Sequence, residues 1–273
     1  MKQKSSKKLL STSLLLVLIA LVSLTAATTA WMTIADSTRL KTMRLDVTSG
    51  ANLRFDLDSH ETFEEYVKSL RLIDIADRIL RDQGYHPREN PLSPVTTTDC
   101  IHFTLENGEP AATESYMEFV LHFMATDDMV VHLTTAGEEG TRIFSDEVSD
   151  IAKAMRISFT ADDSTAVYDP GMEPGSEEGL GGKIFGLARG NRIVYDASNT
   201  LFFLKAGVDK PVTVRIWLEG TDEICTDALR GAPYHIQLRF VGTDENGNLL
   251  EDSRTTTRRS AAATPTEERN ENK

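Results

Sequence analysis

The sequence predicts a mainly β protein: an antiparallel β-sandwich of jelly-roll type, with an amphipathic helical insertion and a second short helix. Three observations lead there. Apolar and polar residues alternate in about ten short runs, because a half-buried strand sends successive side chains to opposite faces. Turn signals separate these runs, and the strand–helix–strand alternation of a parallel sheet is missing. The period lengthens to that of a helix in two places only, one long and one short.

The first two runs are "MRLDVT", with Met43, Leu45 and Val47 opposite Arg44 and Asp46, and "ANLRFDLD", with Leu53, Phe55 and Leu57 on one face. The "TSGA" between them reads as a hairpin turn. Phe63, Tyr66, Val67, Leu70, Ile73 and Ala76 then recur at helical spacing, predicting one helix of about five turns that Ser59 or Thr62 caps and Gly84 ends. With the proline-rich loop after it, this helix forms an insertion over about 58–95.

Strands resume with "CIHFTLENG", "SYMEFVLHFMA" and "DDMVVHLTT", the last two read as hairpin partners. "SDEVSDIAKAMRISFTA" is a short helix running into a strand. "DPGMEPGSEEGLGG", at 169–182, is so rich in Gly, Pro and Glu that a mobile loop is expected. "RIVYD", "NTLFFLKAG", "PVTVRIWLEG" and "YHIQLRFVG" complete the strands, and Asn246-Gly247 marks a hairpin turn. Residues 31–250 thus read as one domain, and 251–273 as a disordered polar tail.

The chain opens with "MKQKSSKKLLSTSLLLVLIALVSLTAATTA": a basic start, an apolar centre, then small residues. Residues 1–30 are therefore a signal peptide, with Ala26, Ala27 and Ala30 as cleavage candidates, or an uncleaved N-terminal membrane anchor. Both place the body on the extracellular side, secreted or at the cell membrane's outer face. The 273 residues carry 42 acidic against 29 basic side chains, a net charge of −13. Such a surface repels nucleic acid, and no basic stripe with interleaved aromatics exists to bind it.

Chemistry-bearing residues are few. Cys100 and Cys225 form one disulfide or stay as two buried thiols. Trp217 lies off the apolar stripe of Val212, Val214, Ile216 and Leu218, either capping the core beneath a loop or offering a platform to a ligand. Glu219, Asp222, Glu223 and Asp227 read as a Ca²⁺ loop or as a solvated turn in which Asp222 caps a helical turn. Of the histidines, His102, His122, His132 and His235 fall on polar strand faces, where solvated rings are expected. No zinc-protease helix, nucleophile elbow or phosphate loop is present, so no catalytic residue and no cofactor is assigned.

"ATTAWMTIADSTRLKTMRLDVTSGANLRFDL", with its Ala30-Trp31 element, resembles the start of exported Gram-positive proteins that carry a special signal-peptidase-dependent leader. "VTVRIWLEGTDEICTD" and "IQLRF" resemble the closing strands of the same group, which includes camelysin and the TasA-like fibre-forming proteins of biofilm matrix. The resemblance implies a jelly-roll sandwich outside the cell and a structural role through assembly. In that assembly a processed N-terminal strand, carrying Leu40, Met43, Leu45 and Val47, pairs with a neighbouring subunit. It also implies the signal peptidase, further copies of the chain and other surface or matrix proteins as partners. Camelysin-type proteins are described as metallopeptidases, but the usual zinc helix is missing here. A glycan-binding module and a secreted metallopeptidase are the alternative functions.

Overall fold

The computed structural model describes residues 40–48, 52–147, 150–225, 229 and 232–250. The leader with Ala26, Ala27 and Ala30, the turn at 49–51, Asp227 and the tail from 251 lie outside the described residues. In chain order the strands are β1 (Leu40–Val47), β2 (Leu53–Asp56), β3 (Ser69–Arg71), β4 (Pro94–Thr97), β5 (Phe103–Thr104), β6 (Met117–Ala125), β7 (Met129–Leu133) and β8 (Arg142–Phe144). There follow β9 (Met155–Ala161), β10 (Ser164–Tyr168), β11 (Gly175–Gly179), β12 (Gly182–Gly186), β13 (Thr200–Leu204), β14 (Lys210–Glu219) and β15 (Tyr234–Thr243). Two α-helices occur among the described residues, α1 (Leu72–Gln83) and α2 (Ile151–Ala154). None is long and apolar enough to cross a membrane.

The fold is mainly β, in two mixed sheets. The first runs β13-β7-β15-β1-β3, with β8 also on β15. The second runs β11-β12-β10-β9-β14-β4-β5, with β6 on β14 and β2 on β6. Antiparallel pairs dominate, but β1–β15, β10–β12 and β14–β4 are parallel. That corrects the purely antiparallel expectation. Alternation along one strand reveals which face is buried and is blind to the direction of the neighbour.

Apolar faces of both sheets meet in one core. Phe240 of β15 touches Phe55, Phe123 and Phe159 of the other sheet at ring distances of 5.7, 5.2 and 5.9 Å, all steeply inclined. Edge-to-face contacts of this kind suit the ring quadrupoles and add to the burial term. Alternation locates these residues correctly: Val212, Val214, Ile216 and Leu218 are all buried, as are Met117, Phe119, Leu121 and Phe123.

Connections are where the sequence reading fails. β1 and β2 do not form a hairpin, because β2 pairs with β6 in the second sheet while β1 joins β15 and β3 in the first. β6 and β7 likewise part company across 126–128, β7 pairing with β13 and β15. The expected five-turn helix shrinks to α1. Thr62 and Glu65 close a capping box around a single 3₁₀ turn (Phe63–Glu65), and Ser69–Arg71 is drawn out as a strand on β1. α1 then buries Leu72, Ile75, Ala76 and Ile79 and ends at Gly84, left-handed at φ 80° as a helix C-cap requires. Ile73, expected inside, is exposed.

The segment at 169–182, expected to be a mobile loop, folds instead. Gly175–Gly179 and Gly182–Gly186 pair antiparallel in register, and β12 joins β10. Glycine is what lets it do so: a Cβ on Gly186 would lie 2.3 Å from the carbonyl oxygen of Met172 and 2.4 Å from that of Glu173. "RIVYD" is irregular rather than a strand, whereas the Asn246-Gly247 turn forms, with Gly247 at φ 78° and Asp244 N–H on the Asn248 carbonyl.

Candidate functional site

Trp217 is fully buried, so the ligand-platform reading is corrected and the cap reading holds. Its ring meets Phe103 edge-on at 5.4 Å in a small second core with Val95, Cys100 and Val167. The indole N–H donates to Glu219 Oε2 at 3.0 Å. Glu219, also buried, accepts from the Thr221 hydroxyl at 2.7 Å with its other oxygen.

Asp222 takes a charge-assisted hydrogen bond from Arg156 Nη2 at 2.9 Å and one from the Ile224 N–H at 3.0 Å. The same Arg156 nitrogen lies 3.1 Å from Asp169 Oδ2, so one largely buried guanidinium joins the acidic loop to the chain leaving β10. Burial pushes the Asp169 carboxyl up from its ordinary pKa, and the Arg156 charge opposes this. Glu223 is exposed and Asp227 lies outside the described residues. Among the described residues no three His, Cys, Asp or Glu side chains converge as a metal cage. Glu219 and Asp222 serve intramolecular donors, unlike the oxygens of a Ca²⁺ loop, which face one point.

Cys100 and Cys225 are not joined. Cys100 is buried in the small Trp217 core, whereas Cys225 packs at the margin of the main core. Burial pushes the Cys100 thiol up to about 11, which makes it a poor nucleophile.

Three histidines depart from the solvated reading; one, His235, stacks on the Phe144 ring at 4.7 Å with its side chain 18% exposed. His132 is buried, its Nδ1 2.8 Å from Asn199 Oδ1 and its Nε2 3.2 Å from Thr243 Oγ1. Burial depresses its pKa. His122 donates from Nδ1 to Asp209 Oδ2 at 2.8 Å, where Ser59 Oγ also donates, while the Tyr66 hydroxyl reaches Asp209 Oδ1 at 2.8 Å. Burial resists ionisation of Asp209, but these three donors outweigh it and hold the carboxyl below its usual range. A carboxylate that orients an imidazole is half of a nucleophilic triad. Here the hydroxyl of Ser59 points to the carboxylate instead of the ring, so the group ties the 59–66 segment to the start of β14. Sequence reasoning missed this network, because its donors lie 87 to 150 positions from Asp209 in the chain.

The remaining candidates, Leu40, Met43, Leu45 and Val47, are all buried on β1. β1 runs parallel to β15 through seven paired positions, Leu40 opposite Tyr234 and Val47 opposite Phe240. On its other side β3 pairs with Arg44, Leu45 and Asp46, and the Val47 N–H reaches the Lys68 carbonyl at 3.0 Å. The candidate assembly strand therefore occupies a slot in its own subunit.

No family model matches the chain, and no curated protein or solved structure proves similar to it.

Proposed function

We propose that this protein is an exported, non-catalytic structural subunit of the cell surface or extracellular matrix, a jelly-roll-like sandwich that assembles by exchanging β1 between copies. The observation that carries the reading is the placement of β1. Its partners β15 and β3 are remote or short, and its four apolar side chains fill a slot that an identical segment of another copy would fill equally well. Exchange of an identical element keeps every native contact and so costs little. The camelysin and TasA-like resemblance and the export leader point the same way. Other edges look guarded against casual pairing: β11 presents exposed Glu177 and Glu178, and like charges on an edge strand discourage addition.

The test uses Arg44 and Gln237, opposite one another on β1 and β15. In a Cys100→Ser, Cys225→Ser background, Arg44→Cys protein is mixed with Gln237→Cys protein, concentrated and oxidised. Exchange predicts mixed disulfide-linked dimers within larger assemblies. A chain that stays monomeric at every concentration, or assemblies that never form the mixed link, would overturn the proposal.

A further inference from the structure

A cleft of about 1100 Å³ among the described residues takes no part in β1 exchange. Its walls are the chain leaving β10, from Pro170 to Pro174, and the chain leaving β12, from Leu187 to Arg192. Both walls are held before any ligand arrives. Asp169, at the root of the first, accepts from the Gly171 N–H at 2.7 Å and pairs with Arg156 at 3.1 Å. The second is fixed by the Thr135 hydroxyl, which lies 2.7 Å from the Ala188 carbonyl and 2.8 Å from that of Gly190. A rigid concavity spares a ligand the cost of ordering it.

The lining has the wrong sign for this chain. Lys153, Arg189 and Arg192 border the cleft against a single acid, Glu173, in a protein of net charge −13. Counting Asp150, which pairs with Lys153 at 2.9 Å, an excess of one positive charge remains. Elsewhere the arginines have evident partners: Arg54 and Arg239 bond backbone carbonyls, Arg142 lies on the Phe144 ring, and Arg156 and Arg215 meet carboxylates. Among the described residues the side chains of Arg189 and Arg192 have no such partner, a condition shared by Arg88 on an exposed turn. Tyr168 also lines the cleft, its side chain largely buried.

We infer that this cleft binds a saccharide carrying an isolated carboxylate, such as a uronic acid unit in an otherwise neutral glycan. Guanidinium forks suit a carboxylate bidentately, and a phenol and backbone groups suit sugar hydroxyls. Met172 and the two prolines offer apolar surface to the sugar faces. A local excess of one charge fits one carboxylate, while the acidic body repels a densely charged polyanion.

The test is titration of the whole mature protein with a glucuronate-containing disaccharide, followed by calorimetry or chemical shifts, with its neutral counterpart, a short polyglutamate and inorganic phosphate as separate arms. The uronate alone is expected to bind well, and raised salt to weaken it. Arg189→Ala with Arg192→Ala lowers that affinity at least about tenfold, by loss of charge-assisted bonds. Glu173→Gln raises it, and Arg88→Ala leaves it unchanged; all these side chains are exposed, so a thermal melt should report intact folds. Equal binding of the neutral sugar, tighter binding of polyglutamate or phosphate, no binding at all, or full binding by the double variant would each overturn the assignment. Assembly of the mixed cysteine proteins is read separately, so either idea can fail alone.

Discussion

Trp217 donates its indole N–H to the carboxylate of Glu219, 3.0 Å away and two residues along the same strand, and both side chains are buried. Glu219→Ala would strand that N–H, and an unsatisfied buried donor costs about 1–3 kcal/mol. Glu219→Gln keeps an acceptor oxygen for the indole and should cost less. Urea unfolding followed by circular dichroism separates the two variants; equal midpoints would refute the role given to this carboxylate.

Burial along each strand was legible in the sequence, pairing was not. The period of two identifies Val212, Val214, Ile216 and Leu218 as core from their own neighbours alone. That β1 lies on β15 is decided by side chains nearly two hundred positions away, and a turn such as "TSGA" cannot announce that its flanking strands go to different sheets. The helical period over 63–76 was real but incomplete, because the Thr62–Glu65 capping box closes one turn and the chain then extends onto β1. The acidic loop was visible as composition. Its actual business depends on Arg156, brought in from β9, and on Asp169 beyond β10.

The buried thiol gives a chemical signature. With its pKa pushed up to about 11 by burial, Cys100 stays protonated at neutral pH, and only the thiolate alkylates readily. Iodoacetamide at pH 7.5 is therefore expected to leave Cys100 unmodified in the folded protein and to label it after denaturation. Peptide mass mapping reads both states. A Cys100–Cys225 linked peptide from non-reduced protein would contradict the separation of the two side chains.

His132 should make the fold acid-sensitive. Burial depresses its pKa in the folded state, whereas the unfolded chain titrates near about 6.5. Below that value the unfolded state binds the extra proton, so stability falls as pH drops, and the neutral ring's contribution is complete only above it. The urea midpoint is expected to decline between about pH 7.5 and about pH 5.5, through the ring's unfolded-state pKa. His132→Gln, which retains a donor for Asn199, should flatten that decline even if it lowers the midpoint throughout. An unchanged slope would show that other groups govern the acid response.

Arg156 is the most consequential single ion. Its side chain is 12% exposed and its partners Asp169 and Asp222 are 14% and 18% exposed, so removing the cation leaves two carboxylates in poorly solvated surroundings. Breaking a buried pair from one side typically costs about 3–5 kcal/mol, and Arg156→Ala is expected to fall in that range. The pH response discriminates this from simple loss of packing. Burial already raises the Asp169 pKa above its unfolded value, so its neutral form is the one the fold favours, and that contribution is lost as pH rises through the folded pKa. Without Arg156 the upward shift grows, and the variant's deficit should shrink as pH is lowered from about 7 to about 5, toward the ordinary carboxylate range. A deficit independent of pH would mean that the arginine acts through its hydrocarbon stem. Asp169→Asn placed on Arg156→Ala then supplies the closing step: it should recover part of the lost stability at neutral pH, by removing the stranded charge while keeping an oxygen for the Gly171 N–H.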